Sequence, residues 1–410
     1  MYRLRYLLFR WYYTYTHLLF FKLLPDTVPP PTTDRTGRNT VIVCGAEFNN
    51  ALSIQKLTLL VARLHGLNPR LRIVLFSKQA YASEERIDGL DVLPWDFHER
   101  ARALGILARL LYPRGRFDES ALCEIAVTAI AMVDLGHYQA NSLQGTGWTA
   151  NMLTNVVFAK RFGLPFYFFS QSFSPFRYPR QMARILTRML RTILPYAETV
   201  YVREHWGLEA LNSLSTAIAT ESCPEFLLFD DLSPLPTVKA RKLCLIPGHH
   251  LMASGSRFQC WRDALPDTWL LDLVIYDAPE ELAYERLPAE QKTTSATLSE
   301  VVFTRSLVTA DTLYITSKYH AALVCLLAGQ PALLLEPDAV SRSLYEALGL
   351  ESLIVEKPDQ LEEKLAAVCE GENFAAIQAL AQTRLQTLRE QVTLPLEVIA
   401  GVPESRETSG

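Results

Sequence analysis

The chain has 410 residues, 49% of them hydrophobic and 20% charged, with a formal net charge of -4. That length is ample for two or three domains with full cores, and the mildly acidic balance excludes a protein that holds nucleic acid by concentrated positive charge. Seven cysteines lie scattered, with no CxxC and no Cys/His pair at zinc spacing, so reduced thiols in the cytoplasm and no metal centre are expected.

Met1 to Leu24 is crowded with aromatics and leucines, but Arg3, Arg5, Arg10, His17 and Lys22 interrupt it. No run in it reaches the ~20 apolar residues that span a bilayer, and no small-residue cleavage site follows. Basic residues mixed with Trp and Tyr suit an interfacial helix on an anionic membrane surface, peripheral to the inner face of the plasma membrane. They equally suit an arm docked on its own domain or on a partner subunit. Pro25, Pro29, Pro30 and Pro31 continue it as a stiff linker, so residues 1–38 read as arm and linker.

The β-branched run Thr40 to Cys44, a helical period over Leu52 to His65 and the strand Arg72 to Phe76 open a βαβ unit. A short strand is expected over Asp91 to Leu93, and helices over Glu99 to Tyr112 and Ser120 to Thr128. Ile130 to Leu135 is a buried strand carrying Asp134, and a polar loop from Gln139 to Gly147 follows it. Trp148 to Phe162 reads as a helix closed by Gly163, and Pro165 to Phe169 as a strand running into Ser170-Gln171-Ser172. Thr199 to Val202 is a further strand, ending in Arg203-Glu204-His205. Three successive strands thus end in polar loops on one edge of a parallel sheet, where open α/β sheets bind ligands.

Asp230 to Ala240 is a polar, proline-containing linker, dividing a first domain over 39–229 from a second over 241–372. Leu243 to Pro247 begins the second, with Gly248-His249-His250 at its end. A strand over Asp272 to Tyr276 ends in Asp277, and a helix is expected over Leu298 to Val308. Tyr314 to Thr316 is a strand, Ser317-Lys318-Tyr319-His320 the turn leaving it, and Ala321 to Ala328 a uniformly apolar, packed helix. Gly329 stands where a helix end wants positive φ, Pro331 cannot continue the helix, and Ala332 to Leu335 is the next strand. The helix N-terminus, with Lys318 beside it, favours a phosphate or carboxylate. Arg342 to Leu348 is a helix, Leu353 to Val355 a strand, and Phe374 to Val392 a long helix expected to pack back across the first domain. Residues 373–410 are this helix and a disordered tail. The alternation in both halves predicts two Rossmann-like, doubly wound α/β domains facing a cleft, an architecture like that of GT-B glycosyltransferases.

The pieces VDLGHYQANSLQG, KRFGLPFYFFSQSFSPF, VYVREHWGLEAL and YITSKYHAALVCLLAGQPALLLEP resemble, in order and spacing, the polysaccharide pyruvyl transferase family. The resemblance covers roughly Thr40 to Val355. Ser170 to Phe176 resembles the family's Gln-Ser loop, Val202-Arg203-Glu204 its Val-Arg-Glu, and Thr316 to His320 its Ser-x-Arg-x-His signature. It implies transfer of a pyruvyl group from phosphoenolpyruvate, as donor substrate and without a cofactor, to two hydroxyls of a glycan or lipid-linked sugar. Arg203 would then clamp the anion and Lys318 would meet the phosphate. His320 would bind phosphate or move protons. Ser317, Gln171, Ser172, Asp134, His249 and His250 would contact substrate. The chain departs from the family pattern at Leu52, Ser174, Cys223 and Lys318, the last standing where the family has arginine. Two other readings stay open. One is a GT-B glycosyltransferase using a nucleotide sugar, with Glu336 or Asp338 offered to the ribose. The other is a degenerate scaffold of glycan assembly.

Overall fold

A computed structural model describes residues 37–46, 48, 51–77, 87–95, 119–136, 146–173, 176, 180–214, 216–231, 233–236, 242–252, 255–265, 270–275, 296–298, 303, 305–369 and 373–402. The readings placed on 1–36, on Glu99 to Tyr112, on the Gln139 loop, on Asp277 and on the tail from Glu404 lie outside these residues. The chain divides into two compact units, one formed by Met1–Leu227 with Leu394–Gly410, the other by Leu228–Thr393.

The first unit is a parallel sheet in the order β3-β2-β1-β4-β5-β6-β7. Its strands are β1 (Thr40–Cys44), β2 (Arg72–Ser77), β3 (Leu90–Pro94), β4 (Ala129–Asp134), β5 (Phe166–Gln171), β6 (Thr199–Val202) and β7 (Thr220–Ser222). The helices are α1 (Ala51–Leu67), α2 (Glu119–Thr128), α3 (Thr146–Arg161), α4 (Arg180–Ile193) and α5 (His205–Asn212). Strands β1, β4 and β5 are buried at every position, which is why they read as unbroken apolar or β-branched runs rather than alternating ones. Their core includes an aromatic cluster in which Trp95 meets Phe76 at 4.7 Å and Phe158 at 5.1 Å between ring centroids. Helix α5 lies so close to β6 that a Cβ at Gly207 would come within 2.6 Å of Val202 Cγ1. Only glycine fits there.

The second unit repeats the plan with β8 (Lys242–Ile246), β9 (Leu270–Ile275), β10 (Ala296–Leu298), β11 (Thr312–Thr316), β12 (Leu333–Leu335) and β13 (Ile354–Val355). Its sheet is parallel in the order β10-β9-β8-β11-β12-β13. The helices are α6 (His249–Met252), α7 (Gly255–Asp263), α8 (Tyr319–Leu327), α9 (Ala339–Ala347), α10 (Leu361–Cys369) and α11 (Asn373–Gln391). In both sheets the strand order reverses once, between β1 and β4 and between β8 and β11. That is the topological switch point of a doubly wound fold.

Two expectations are corrected. Of the helix expected over Leu298 to Val308, Leu298 ends the edge strand β10 and Arg305–Leu307 forms a short 3-10 turn, while 299–302 and 304 lie outside the described residues. The long C-terminal helix, expected to pack across the first domain, belongs to the second unit. Gln378 Nε2 of α11 donates to the Gly329 carbonyl at 2.9 Å and Gln382 Nε2 to that of Leu326 at 3.5 Å. Only the chain beyond it returns, as α12 (Leu396–Ile399), where the Ala400 carbonyl accepts from Asn68 Nδ2 at 3.0 Å.

Candidate functional site

The strongest constellation is the carboxyl end of the second sheet at its switch point. Ser317, immediately after β11, accepts a 2.6 Å hydrogen bond on its Oγ from the Gly248 amide, immediately after β8. Thr316 Oγ1 donates to the Ile246 carbonyl at 2.8 Å and accepts from the Lys318 amide at 3.0 Å. The bonds to Gly248 and Ile246 fasten the end of β8 to the β11–α8 turn, and the third shapes the turn itself, so the Gly248-His249-His250 segment and the Ser317-to-His320 segment are brought together. Ser317 is the buried bracket of this pair, while Lys318, Tyr319 and His320 are half-buried. Lys318 takes the N-cap position of α8 with extended backbone and places no side-chain bond on the helix end. The first turn of α8 holds no acidic residue, so its positive end is not offset from within.

The helix behind this turn is set firmly. Ala321 to Leu327 are all buried. At the far end Gly329, at φ +73°, donates to the Leu326 carbonyl at 3.0 Å, and the Gln330 amide to that of Cys325 at 2.8 Å. This is the Schellman closure expected from the Gly-x-Pro sequence.

The two acids offered for a ribose have other duties. Asp338 caps α9, accepting from the Ser341 amide at 2.8 Å. Glu336, itself at positive φ, receives Trp261 Nε1 at 3.1 Å and pairs with Arg257. It therefore ties α7 to the end of β12.

At the carboxyl end of the first sheet the expected residues are assembled but buried. Asp134 is fully buried and its carboxylate is filled from inside. It accepts from the Gly136 amide at 2.8 Å, from Asn155 Nδ2 at 3.1 Å and from Gln171 Nε2 at 3.2 Å. Asn155 in turn accepts from Trp95 Nε1 at 3.1 Å. This network joins β4, β5 and α3, and it explains Asp134 and Gln171 as fold-holding residues. Gln171 Oε1 alone meets no donor among the described residues.

Arg203 is 3% exposed, and its guanidinium Nη2 lies 3.2 Å from Glu225. The other oxygen of Glu225 takes Lys56 Nζ at 2.6 Å and the Phe226 amide at 2.9 Å. Two buried cations thus share one buried carboxylate. Burial pulls the Lys56 ammonium down to about 8, against the opposing attraction of Glu225. Burial likewise pushes Glu204 up to about 7, with Arg203 and Ser172 acting in the other direction. Cys223 is raised by burial to about 12, so it is no thiolate nucleophile near neutrality. Sequence reasoning missed Lys56 and Glu225. Lys56 could have been found, because it falls on the apolar stripe of α1 with Leu57, Leu60, Val61 and Leu64, all buried. A charge there needs a counter-charge. Among the described residues no cluster of His, Cys, Asp and Glu could hold a metal ion.

No family model and no curated protein sequence matches the chain. Solved structures do. One is a UDP-glucosyltransferase from Polygonum tinctorium capable of glucosylating indoxyl, 12% identical over 92% of this chain and 98% of that one, with a TM-score of 0.54. Others are a UDP-glucose:anthocyanidin 3-O-glucosyltransferase (11% identity, 89% and 99% coverage, TM-score 0.48) and a spinosyn rhamnosyltransferase (15%, 85% and 96%, 0.48). The fold is therefore the two-domain Rossmann-like fold of GT-B glycosyltransferases. The expectation of pyruvyl transfer is corrected by the same finding, since a structure sharing the fold over nearly the whole chain is a UDP-glucosyltransferase. Arg203, assigned to clamp the anionic donor, is buried with its guanidinium beside Glu225.

Proposed function

We propose that the protein is a glycosyltransferase using a nucleoside-diphosphate sugar, with the diphosphate received at the carboxyl end of the second unit's sheet. The observation that carries this reading is the Gly248–Ser317 bond across the switch point. It sets a glycine turn beside the positive end of α8, with Lys318 and His320 at the rim. The GT-B fold shared with a UDP-glucosyltransferase supports it.

In such a transfer the bond from the sugar C1 to the diphosphate oxygen breaks, and its electron pair leaves on the diphosphate. An acceptor hydroxyl oxygen bonds to C1 and gives up its proton. The charge that needs stabilising is thus on the departing diphosphate. Oriented amides at a helix N-terminus and a neighbouring ammonium supply that without reorganising. Ser317 acts through position, holding Gly248 close enough for its backbone to line the same site. His320, half-buried one residue into the helix, is a hydrogen-bond partner for a phosphate oxygen or a sugar hydroxyl.

The test is to incubate the purified protein with a panel of UDP-sugars, with and without mixed glycosyl acceptors, and to measure released UDP. Acceptor-stimulated release from at least one donor is expected. No release from any donor, together with no shift in melting temperature on adding UDP, would sink the reading.

A further inference from the structure

Between Asp134 and Glu198 the sequence contains no acidic residue and seven basic ones: Lys160, Arg161, Arg177, Arg180, Arg184, Arg188 and Arg191. In a chain of net charge -4 this is a strong local excess. Four of the seven fall in α4, at positions 180, 184, 188 and 191. At about 100° per residue those positions lie within about 80° of arc, on one side of the helix. Leu186, Met189, Leu190 and Ile193 occupy the opposite side and are buried in the core. Arg188 and Arg191 are exposed, and among the described residues neither pairs with a carboxylate. Lys160, at the end of the neighbouring helix α3, is exposed as well.

Folding does not require this arrangement. The apolar side of α4 alone docks the helix, and i,i+4 acids would stabilise its outer side better than a row of like charges. We propose that the arginine side of α4 is a docking surface for an anionic lipid bilayer. The exposed guanidinium groups of Arg188 and Arg191, with positions 180 and 184 on the same side of the helix, match a flat layer of anionic headgroups, each basic residue adding attraction within a Debye length. Residues 1–24 add a second basic segment, rich in Trp, Tyr and Leu, to the sequence of the same unit, the composition of an interfacial element. Nucleic acid is the poorer match, since the chain as a whole carries a net charge of -4. The inference is independent of the donor proposed above.

The experiment is co-sedimentation of the full chain with vesicles of phosphatidylcholine alone or with a quarter phosphatidylserine. It compares the native protein with the double variant Arg188→Glu, Arg191→Glu, and circular dichroism checks that the variant is folded. Binding is expected to the anionic vesicles only, to weaken with added salt, and to fall about tenfold or more in the variant. A folded variant that partitions like the native protein would overturn the assignment to α4, as would a native protein that ignores anionic vesicles or binds RNA in preference to them.

Discussion

At the residue scale the structure separates charges that hold the fold from charges at the rim of a site. Glu225 with Lys56 and Arg203 is of the first kind. Such a buried arrangement adds little net stability, yet removing Glu225, the carboxylate that both cations share, leaves them uncompensated and costs about 3–5 kcal/mol. Glu204 is the residue with a pH-dependent consequence. Its carboxyl titrates at about 7 in the folded chain and near the ordinary 4.5 once unfolded. The folded state therefore binds more protons than the unfolded state between those values, and stability falls as pH rises through this window. The loss amounts to about 3 kcal/mol by the time pH exceeds 7. Glu204→Gln should remove this dependence. Urea unfolding at pH 5 and pH 7.5 is expected to show native stability dropping with pH by up to that amount, while the variant stays level. The upper limit keeps below the titration of Lys56 at about 8. A variant that tracks the native protein would show that Glu204 is ionised in both states.

At the scale of elements, α8 is fixed from both ends, by the Ser317 bracket before it and the Schellman closure after it. Gly329 has φ +73°, and a Cβ there would lie 2.7 Å from that of Pro234. Gly329→Ala is expected to cost about 1–3 kcal/mol, measured as a lowered urea midpoint. An unchanged midpoint would mean that the turn relaxes at no cost. Most of this was legible beforehand. The buried strands announce themselves as unbroken apolar runs, and Gly-x-Pro marks the helix end from local chemistry alone. The β8 and β11 loops were recognisable as strand ends. What stayed hidden is non-local. Nothing near Arg203 in sequence shows that Glu225 and Lys56 would surround it, nor that Asp134 would spend its carboxylate on Gly136, Asn155 and Gln171. A strand-end arginine or aspartate looks the same whether it faces a ligand or a distant part of its own chain. Glu336 misled in the same way, since its partners lie on α7.

At the scale of the whole molecule, two parallel sheets of like topology come from halves with no visible internal repeat, each with its switch point at the carboxyl edge. The chain crosses from the first unit to the second after Leu227 and returns after Thr393. The returning segment is built into the first unit. Ile399 and Ala400 are fully buried, and Gly401 packs against Ile130. Charge divides in the same way. The first unit keeps its strand-end charges inside and carries Arg188 and Arg191 of α4 outside. The second unit leaves a lysine and a histidine half-buried beside a helix N-terminus. Whether this second site receives a nucleoside diphosphate can be read from hydrogen exchange followed by mass spectrometry. Adding UDP should slow exchange in peptides covering residues 246–252 and 316–323, and the protection should weaken markedly in Lys318→Ala. Protection confined to other peptides, or none at millimolar UDP, would contradict the proposed function.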